Sequence, residues 1–273
     1  MTWPTTPIGT TNIDAGTGSP ATARADLKSA VDAVNSMIAM GDPFAQHGRL
    51  IGVRKFTKAD SGSTYTPTVG TTSVLVKAVA AGGGSSGCAT TSATQVGIGV
   101  GGGGGAYAET FLTSGFAGVT LTIGSGGAAA GAGGGTASSG GNTSFGSIFN
   151  LLGGGAGFSL LYTASSNPAV NGVSNGGAVA SGTPNILSIK GGSASECAYL
   201  SSASLGILGQ PGSSPLSSRQ DSPVFTSSLA IPAKTFQLDG YGFGGQASLS
   251  KPSLAAVTGS VGGDGVIFVY EYA

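Results

Sequence analysis

Gly101-Gly102-Gly103-Gly104-Gly105 runs directly into Ala106-Tyr107-Ala108-Glu109-Thr110-Phe111-Leu112. The glycines offer no side chain to pack, whereas the residues after them read as a β-strand. The same pairing of a bare tract with a short apolar strand recurs at Gly82–Gly84, Gly131 with Gly133–Gly135, and Gly153–Gly155. Glycine supplies 52 of the 273 residues, about one in five, against an ordinary usage of ~7%. Disorder is the default reading of such tracts. A packed alternative exists, because segments without Cβ atoms can lie side by side in a polyproline-II-like conformation and bond backbone to backbone. Tyr107, Phe111, Phe116, Phe145, Phe149 and Phe158 stand at tract ends as candidate anchors. Ordered packing is therefore expected here, against the large backbone entropy that glycine loses.

Outward from the tracts, period-two runs mark the strands. Arg49–Thr57, Thr71–Val79, Gly118–Ile123 and Gly265–Tyr272 each alternate, the last with Val266, Phe268 and Tyr270 opposing Ile267 and Val269. Strands bounded by Gly and Ser clusters at this spacing suit an antiparallel β-sandwich. Residues 49–123 and the final strand are expected to form one framework, so that the domain begins and ends on neighbouring strands.

Upstream lies one helical pattern. Ser19 reads as an N-cap, Pro20 as the first helical position, and Gly41-Asp42-Pro43 as the stop. Leu27, Val31, Val34 and Ile38 form a heptad seam over two heptads. Its β-branched residues at both a and d positions favour trimers or tetramers over dimers. A helix docking on its own domain is the alternative. The division expected is 1–48 as an N-terminal attachment segment with the helix, and 49–273 as a glycine-rich β domain.

Composition excludes several functions. The 11 basic and 11 acidic side chains balance to zero net charge, which argues against nucleic-acid binding. Half of the charges fall within residues 1–60, and residues 110–189 carry none. That neutral stretch is too rich in Gly, Ser, Ala and Thr to supply a spanning helix. Met1-Thr2-Trp3-Pro4 lacks the pattern of a signal peptide, so secretory export is not expected. Cys88 and Cys197 belong to no C-x-x-C pair and read as buried thiols. His47, the one histidine, reads as a joint between helix and sheet, and no metal or cofactor is expected.

Apparent catalytic motifs lack their contexts. Gly97-Ile98-Gly99-Val100-Gly101-Gly102 matches a dinucleotide fingerprint but precedes a strand, without the helix N-terminus that a pyrophosphate needs. G-x-S-x-G occurs at both Gly83–Gly87 and Gly172–Gly176, with His47 upstream of each, against the chain order of that hydrolase motif. Glu109, Glu196, Asp221, Asp239 and Asp264 are isolated in sequence, although two could meet in space as glycosidase carboxylates.

Arg49-Leu50-Ile51-Gly52-Val53-Arg54-Lys55-Phe56-Thr57 and Tyr65-Thr66-Pro67-Thr68-Val69-Gly70-Thr71-Thr72-Ser73-Val74 resemble the glycine-rich tail fibre proteins of tailed phages and prophages. So do Gly101–Gly105 with Ala106-Tyr107, Gly141-Asn142-Thr143-Ser144-Phe145-Gly146, and the ending Gly265-Val266-Ile267-Phe268-Val269-Tyr270-Glu271-Tyr272-Ala273. The resemblance covers 49–155 and the last strand; residues 157–260 fit it poorly. It implies a non-enzymatic virion protein, assembled in the host cytoplasm and usually homotrimeric. Its N-terminus would join the baseplate or tail, and its distal domain would bind a pilus, glycan or outer-membrane component of the host. On that reading the expected fold is mainly β: a short N-terminal helix, as a trimeric coiled coil, before a glycine-rich antiparallel β-sandwich with polyproline-II-like segments. Residues 157–260 mix small polar residues with scattered rings, as antibody loops do. Tyr162, Tyr199 and Tyr241 are the candidate receptor contacts, and Leu27, Val31, Val34 and Ile38 the trimerisation seam. A purely architectural spacer and a polysaccharide depolymerase are the alternative functions.

Overall fold

The computed structural model describes residues 27–35, 48–163, 169–182, 184–200, 205–217, 224–225 and 240–273. Within them the protein is mainly β, with antiparallel sheets and one short helix at 27–35. A Lys28–Asp32 ion pair at 3.1 Å spans one turn of that helix. The cap, the stop, Ile38 and His47 lie outside the described residues.

The largest sheet has five strands in the order Leu50–Phe56, Val266–Tyr272, Ser73–Val79, Tyr107–Leu112 and Leu187–Ile189. The first and last strands of the domain are neighbours, as the alternation predicts, with Val53 opposite Tyr270 and Phe56 opposite Ile267. The Gly48 amide donates to the Ala273 carbonyl at 2.8 Å and ties the two ends together. Val74, Val76, Ala78, Ile267 and Val269 point to one side of this sheet. There they meet Leu121, Phe145, Phe149 and Leu151 from a four-stranded sheet, ordered Val179–Gly182, Phe149–Leu151, Thr143–Phe145 and Leu121–Thr122. Tyr65 fills the space between, with its ring edge-on to Phe56 and 5.5 Å from Phe145. Each large apolar side chain fully buried here contributes about 1.5–3 kcal/mol.

A second core lies elsewhere. Val96, Ile98, Cys197, Tyr199, Leu208, Ala247 and Leu249 pack together. They come from the sheet Ser248–Ser250, Gln95–Gly99, Ser159–Thr163, from the sheet Val224–Phe225, Leu205–Ile207, Cys197–Leu200, Ala169–Asn171, and from the segments that follow and precede them. The chain passes repeatedly between the two sets of strands. Residues 80–94, 100–106, 152–158, 172–178, 190–196 and 251–265 each join a strand of one set to a strand of the other.

These connections hold the glycine tracts, and their amides change partner in rotation. Ala80, Gly83 and Ser86 donate to Ala106, Gly103 and Val100; Ala81 and Gly84 donate to Gly141 and Ser138; Gly82 and Ser85 donate to Gly263 and Ser260. Each partner segment returns every third residue, so one segment is bonded to three neighbours. The same step recurs at 102–106, where Gly102 and Gly105 donate to Gly245 and Gly242, and Gly103 and Ala106 to Gly155 and Leu152. A Cβ on Gly102 would stand 1.9 Å from the Gly83 carbonyl oxygen, and one on Gly83 would stand 2.0 Å from that of Gly155. Only a bare main chain fits, and its polar groups satisfy one another. Of the candidate anchors, Tyr107, Phe116, Phe145 and Phe149 are buried and Phe158 is half-buried. Phe111 is not an anchor: it lies on the outer side of the five-stranded sheet, because Ala108, Thr110 and Leu112 take the inner positions.

Candidate functional site

The three tyrosines proposed as contacts do not converge. Tyr162 sits opposite Val96 in the Ser159–Thr163 strand, half-buried against the second core. Tyr199 is a core residue with only 4% exposure, and the expectation of a surface contact is corrected accordingly. The cause is local: in Cys197–Leu200 the alternation turns Cys197 and Tyr199 inward together. Beside the Tyr199 ring, 6.0 Å from its centroid, lies the Lys251 ammonium, whose pKa burial lowers. Tyr241 is half-buried on the other side of the glycine segments, against Val79, Tyr107 and Val266. Lys55 reaches over its ring at 4.9 Å, a cation–π contact. Of the seam, Leu27 is 54% exposed and Val31 and Val34 are half-buried. The described helix thus presents apolar side chains to solvent.

The outer face of the five-stranded sheet carries more surface chemistry than the sequence reading assigned to it. Val53, Phe111, Leu187 and Ile189 are exposed there, beside half-buried Tyr270 and Tyr272. Phe111 and Tyr272 have centroids 6.4 Å apart and border an open groove of about 430 Å³, completed by Gly48, Thr72, Ser73 and Thr113. Lys77 pairs with Glu109 at 3.4 Å and lies 5.8 Å from the Tyr270 ring. The Tyr107 hydroxyl donates to Glu109; burial, that hydrogen bond and the carboxylate's charge push the phenol pKa up. Glu109 is therefore engaged by a hydroxyl and an ammonium. Asp264 accepts from the Gly126 amide at 2.7 Å and stands 3.9 Å from Lys58. Asp221 and Asp239 lie outside the described residues.

On the inner face is a buried polar cluster. Glu271 has no solvent exposure. Its carboxylate accepts from the Tyr65 hydroxyl at 2.6 Å and the Thr68 hydroxyl at 2.5 Å, with the Thr68 amide at 3.3 Å and Arg54 at 3.7 Å. Burial alone would raise the carboxyl pKa; the Thr68 and Tyr65 hydrogen bonds with the Arg54 charge outweigh it and hold the group below its ordinary value. Tyr65 moves the other way, raised by burial and by its bond to Glu271. Gly52 leaves room for this site, since a Cβ there would be 3.2 Å from Oε2 of Glu271. Cys88 and Cys197 are free, buried thiols, as expected. Burial pushes Cys197 up to about 11 and raises Cys88 as well. Among the described residues no cluster of three or more His, Cys, Asp or Glu side chains could hold a metal ion.

No protein-family model matches the chain, and no curated protein matches it either.

Proposed function

We propose that the chain is a phage tail fibre protein that attaches to the host surface by non-covalent binding. The observation that carries this reading is the arrangement of the two cores. The strands nearest both described ends, Leu50–Phe56 and Val266–Tyr272, belong to the first. Six connections reach from that set of strands to the second. Anchored through residues 1–48, the molecule would present the second core, with the turns around it, away from the virion. The three-residue rotation of amide partners supports a polyproline-II reading of the connections, since that helix repeats every three residues. At ~3.1 Å per residue, a seven-residue connection holds the two cores roughly 20 Å apart. Leu27, exposed on the described part of the helix beside half-buried Val31 and Val34, supports trimerisation through the seam Leu27, Val31, Val34 and Ile38. Three identical ends would then convert weak contacts into avidity.

Tyr162 belongs to the distal group in this scheme and Tyr241 to the proximal one. The test uses the purified full-length protein on bacteria that the phage infects. Saturable adsorption and protection of the cells against infection are expected. Failure both to adsorb and to compete with the phage overturns the reading.

A further inference from the structure

The strand Ser159–Thr163 is the outermost strand of its sheet, bonded on one side to Gln95–Gly99. The Val100 amide donates to the Phe158 carbonyl at 2.9 Å. Antiparallel ladders alternate bonded and non-bonded pairs. Ile98–Leu160 and Val96–Tyr162 are therefore the bonded pairs that follow, and the backbone groups of Ser159, Leu161 and Thr163 face out of the sheet. Among the described residues no backbone hydrogen bond from outside the sheet reaches these groups. Leu160 and Leu161 are 46% and 47% exposed, and they stand on opposite faces of the edge.

Exposed edges are normally blunted by charge, a bulge or shortness. Elsewhere this protein uses all three. The edge strand Leu50–Phe56 carries Arg54 and Lys55 and has a register shift between Leu50 and Gly52, and Leu187–Ile189 is only three residues long. Ser159-Leu160-Leu161-Tyr162-Thr163 has no charged residue, glycine or proline. Among the described strands it is the edge left without those devices, and it lies beside the second core.

We infer that Ser159–Thr163 is a strand-addition site whose ligand is an extended polypeptide segment of the receptor, with apolar side chains against Leu160 and Leu161. The outward N–H and C=O groups repeat every two residues, about 6.8 Å, which is the repeat of another β-strand. Strand addition takes its affinity from main-chain bonds and its selectivity from flanking side chains. A five-residue edge falls well short of a standard interface of ~800 Å² per partner, so each contact is weak. The inference rests on the attachment reading for its partner and for the multiplication of that weak contact by three copies.

The probe is a synthetic peptide with the sequence of residues 94–100, the segment that already pairs with the inner side of this strand, added to the full-length protein. Backbone amide exchange is followed residue by residue. Slower exchange at Ser159, Leu161 and Thr163 is expected, and at Ser159 and Thr163 it is lost in Leu161→Pro, which deletes the outward-facing amide between them and leaves the inward pairs intact. Leu161→Lys, which adds a charge to the edge, tests the same point with the amide present; unchanged exchange at Val96 verifies the fold of both variants. Absence of protection at millimolar peptide, or protection at Ser159 and Thr163 in both variants equal to that of the wild type, overturns the site. Protection that grows with protein concentration alone makes a second copy the partner and overturns the receptor assignment. On cells, adsorption that falls at least tenfold in both variants and after protease treatment supports a polypeptide receptor. Adsorption abolished by periodate but not by protease makes the receptor a glycan, which overturns this inference and leaves attachment standing. No adsorption by the wild type sinks the attachment reading itself, while the peptide arm still decides the edge.

Discussion

The Gly83 amide donates to the Gly103 carbonyl at 2.9 Å, and a side chain on Gly102 would occupy the space of the Gly83 carbonyl that faces it. Two tracts some twenty positions apart in sequence are thus held by backbone alone. The interior between the two cores is made of amides, where most proteins place leucines. Its stability depends on the absence of atoms.

That dependence is testable with single methyl groups. Gly102→Ala and Gly154→Ala each place a Cβ 1.9 Å from a carbonyl oxygen, with rigid backbone on the other side. Each is expected to destabilise by at least about 3 kcal/mol, the upper end of overpacking effects, or to prevent folding. Gly131→Ala meets nothing within 4 Å, and its effect should stay within about 1 kcal/mol of wild type. Urea midpoints for the three variants check the contrast. Equal midpoints would mean that the tracts do not pack.

Much of the framework was legible because strand alternation is local. Ile267 and Val269 face the core on the last strand, and Phe56 on the first, as their spacing implies. The partners of the glycines were not legible, since a residue without a side chain leaves no pattern and the bonds join distant segments. Phe111 and Tyr199 show a subtler limit. A ring in a short strand takes its face from its neighbours: Ala108, Thr110 and Leu112 turn Phe111 out, and Cys197 accompanies Tyr199 in. The outer sheet face was missed because strands such as Val266–Tyr272 are apolar on both sides, which hides which side meets the core.

The helix offers a second prediction. Leu27→Asp with Val34→Asp places two charges on the apolar side, which an interior between helices would have to desolvate. Sedimentation of the full-length protein should show a trimer for the wild type and a monomer for the double variant. The far-ultraviolet spectrum of the β domain should be unchanged. A wild-type monomer would leave the helix to dock on its own domain.

The thiols offer a third. Cys88 and Cys197 have no solvent exposure, and burial raises both pKa values, Cys197 to about 11. Thiolate is the reactive form, so native protein at pH 8 should resist alkylation by iodoacetamide. Both thiols should react fully in denaturant. Rapid labelling of Cys197 in the native protein would show that the second core opens readily.

Acid sensitivity follows from Glu271. Its carboxyl is held below the ordinary value by Thr68, Tyr65 and Arg54 against the opposing effect of burial, so the unfolded chain binds its proton more readily than the folded one. The stability that this site contributes is complete above the unfolded value of about 4.3. It is lost as pH falls from there through the lower folded value. Glu271→Gln should therefore flatten the dependence of unfolding free energy on pH below about 4.3, by up to about 1.4 kcal/mol per pH unit for one proton. Tyr65→Phe removes the 2.6 Å donor but keeps the ring among Phe56 and Phe145. It is expected to cost about 1–3 kcal/mol at pH 7, the range for a buried group left short of a partner. It should also weaken the dependence of stability on pH below about 4.3, because without the Tyr65 hydrogen bond the folded value of Glu271 moves up toward the unfolded one. If Tyr65→Phe lowers stability equally at pH 7 and pH 3, the contribution of the hydroxyl does not depend on the charge of Glu271, and the carboxylate is not what makes the first and last strands pH-sensitive.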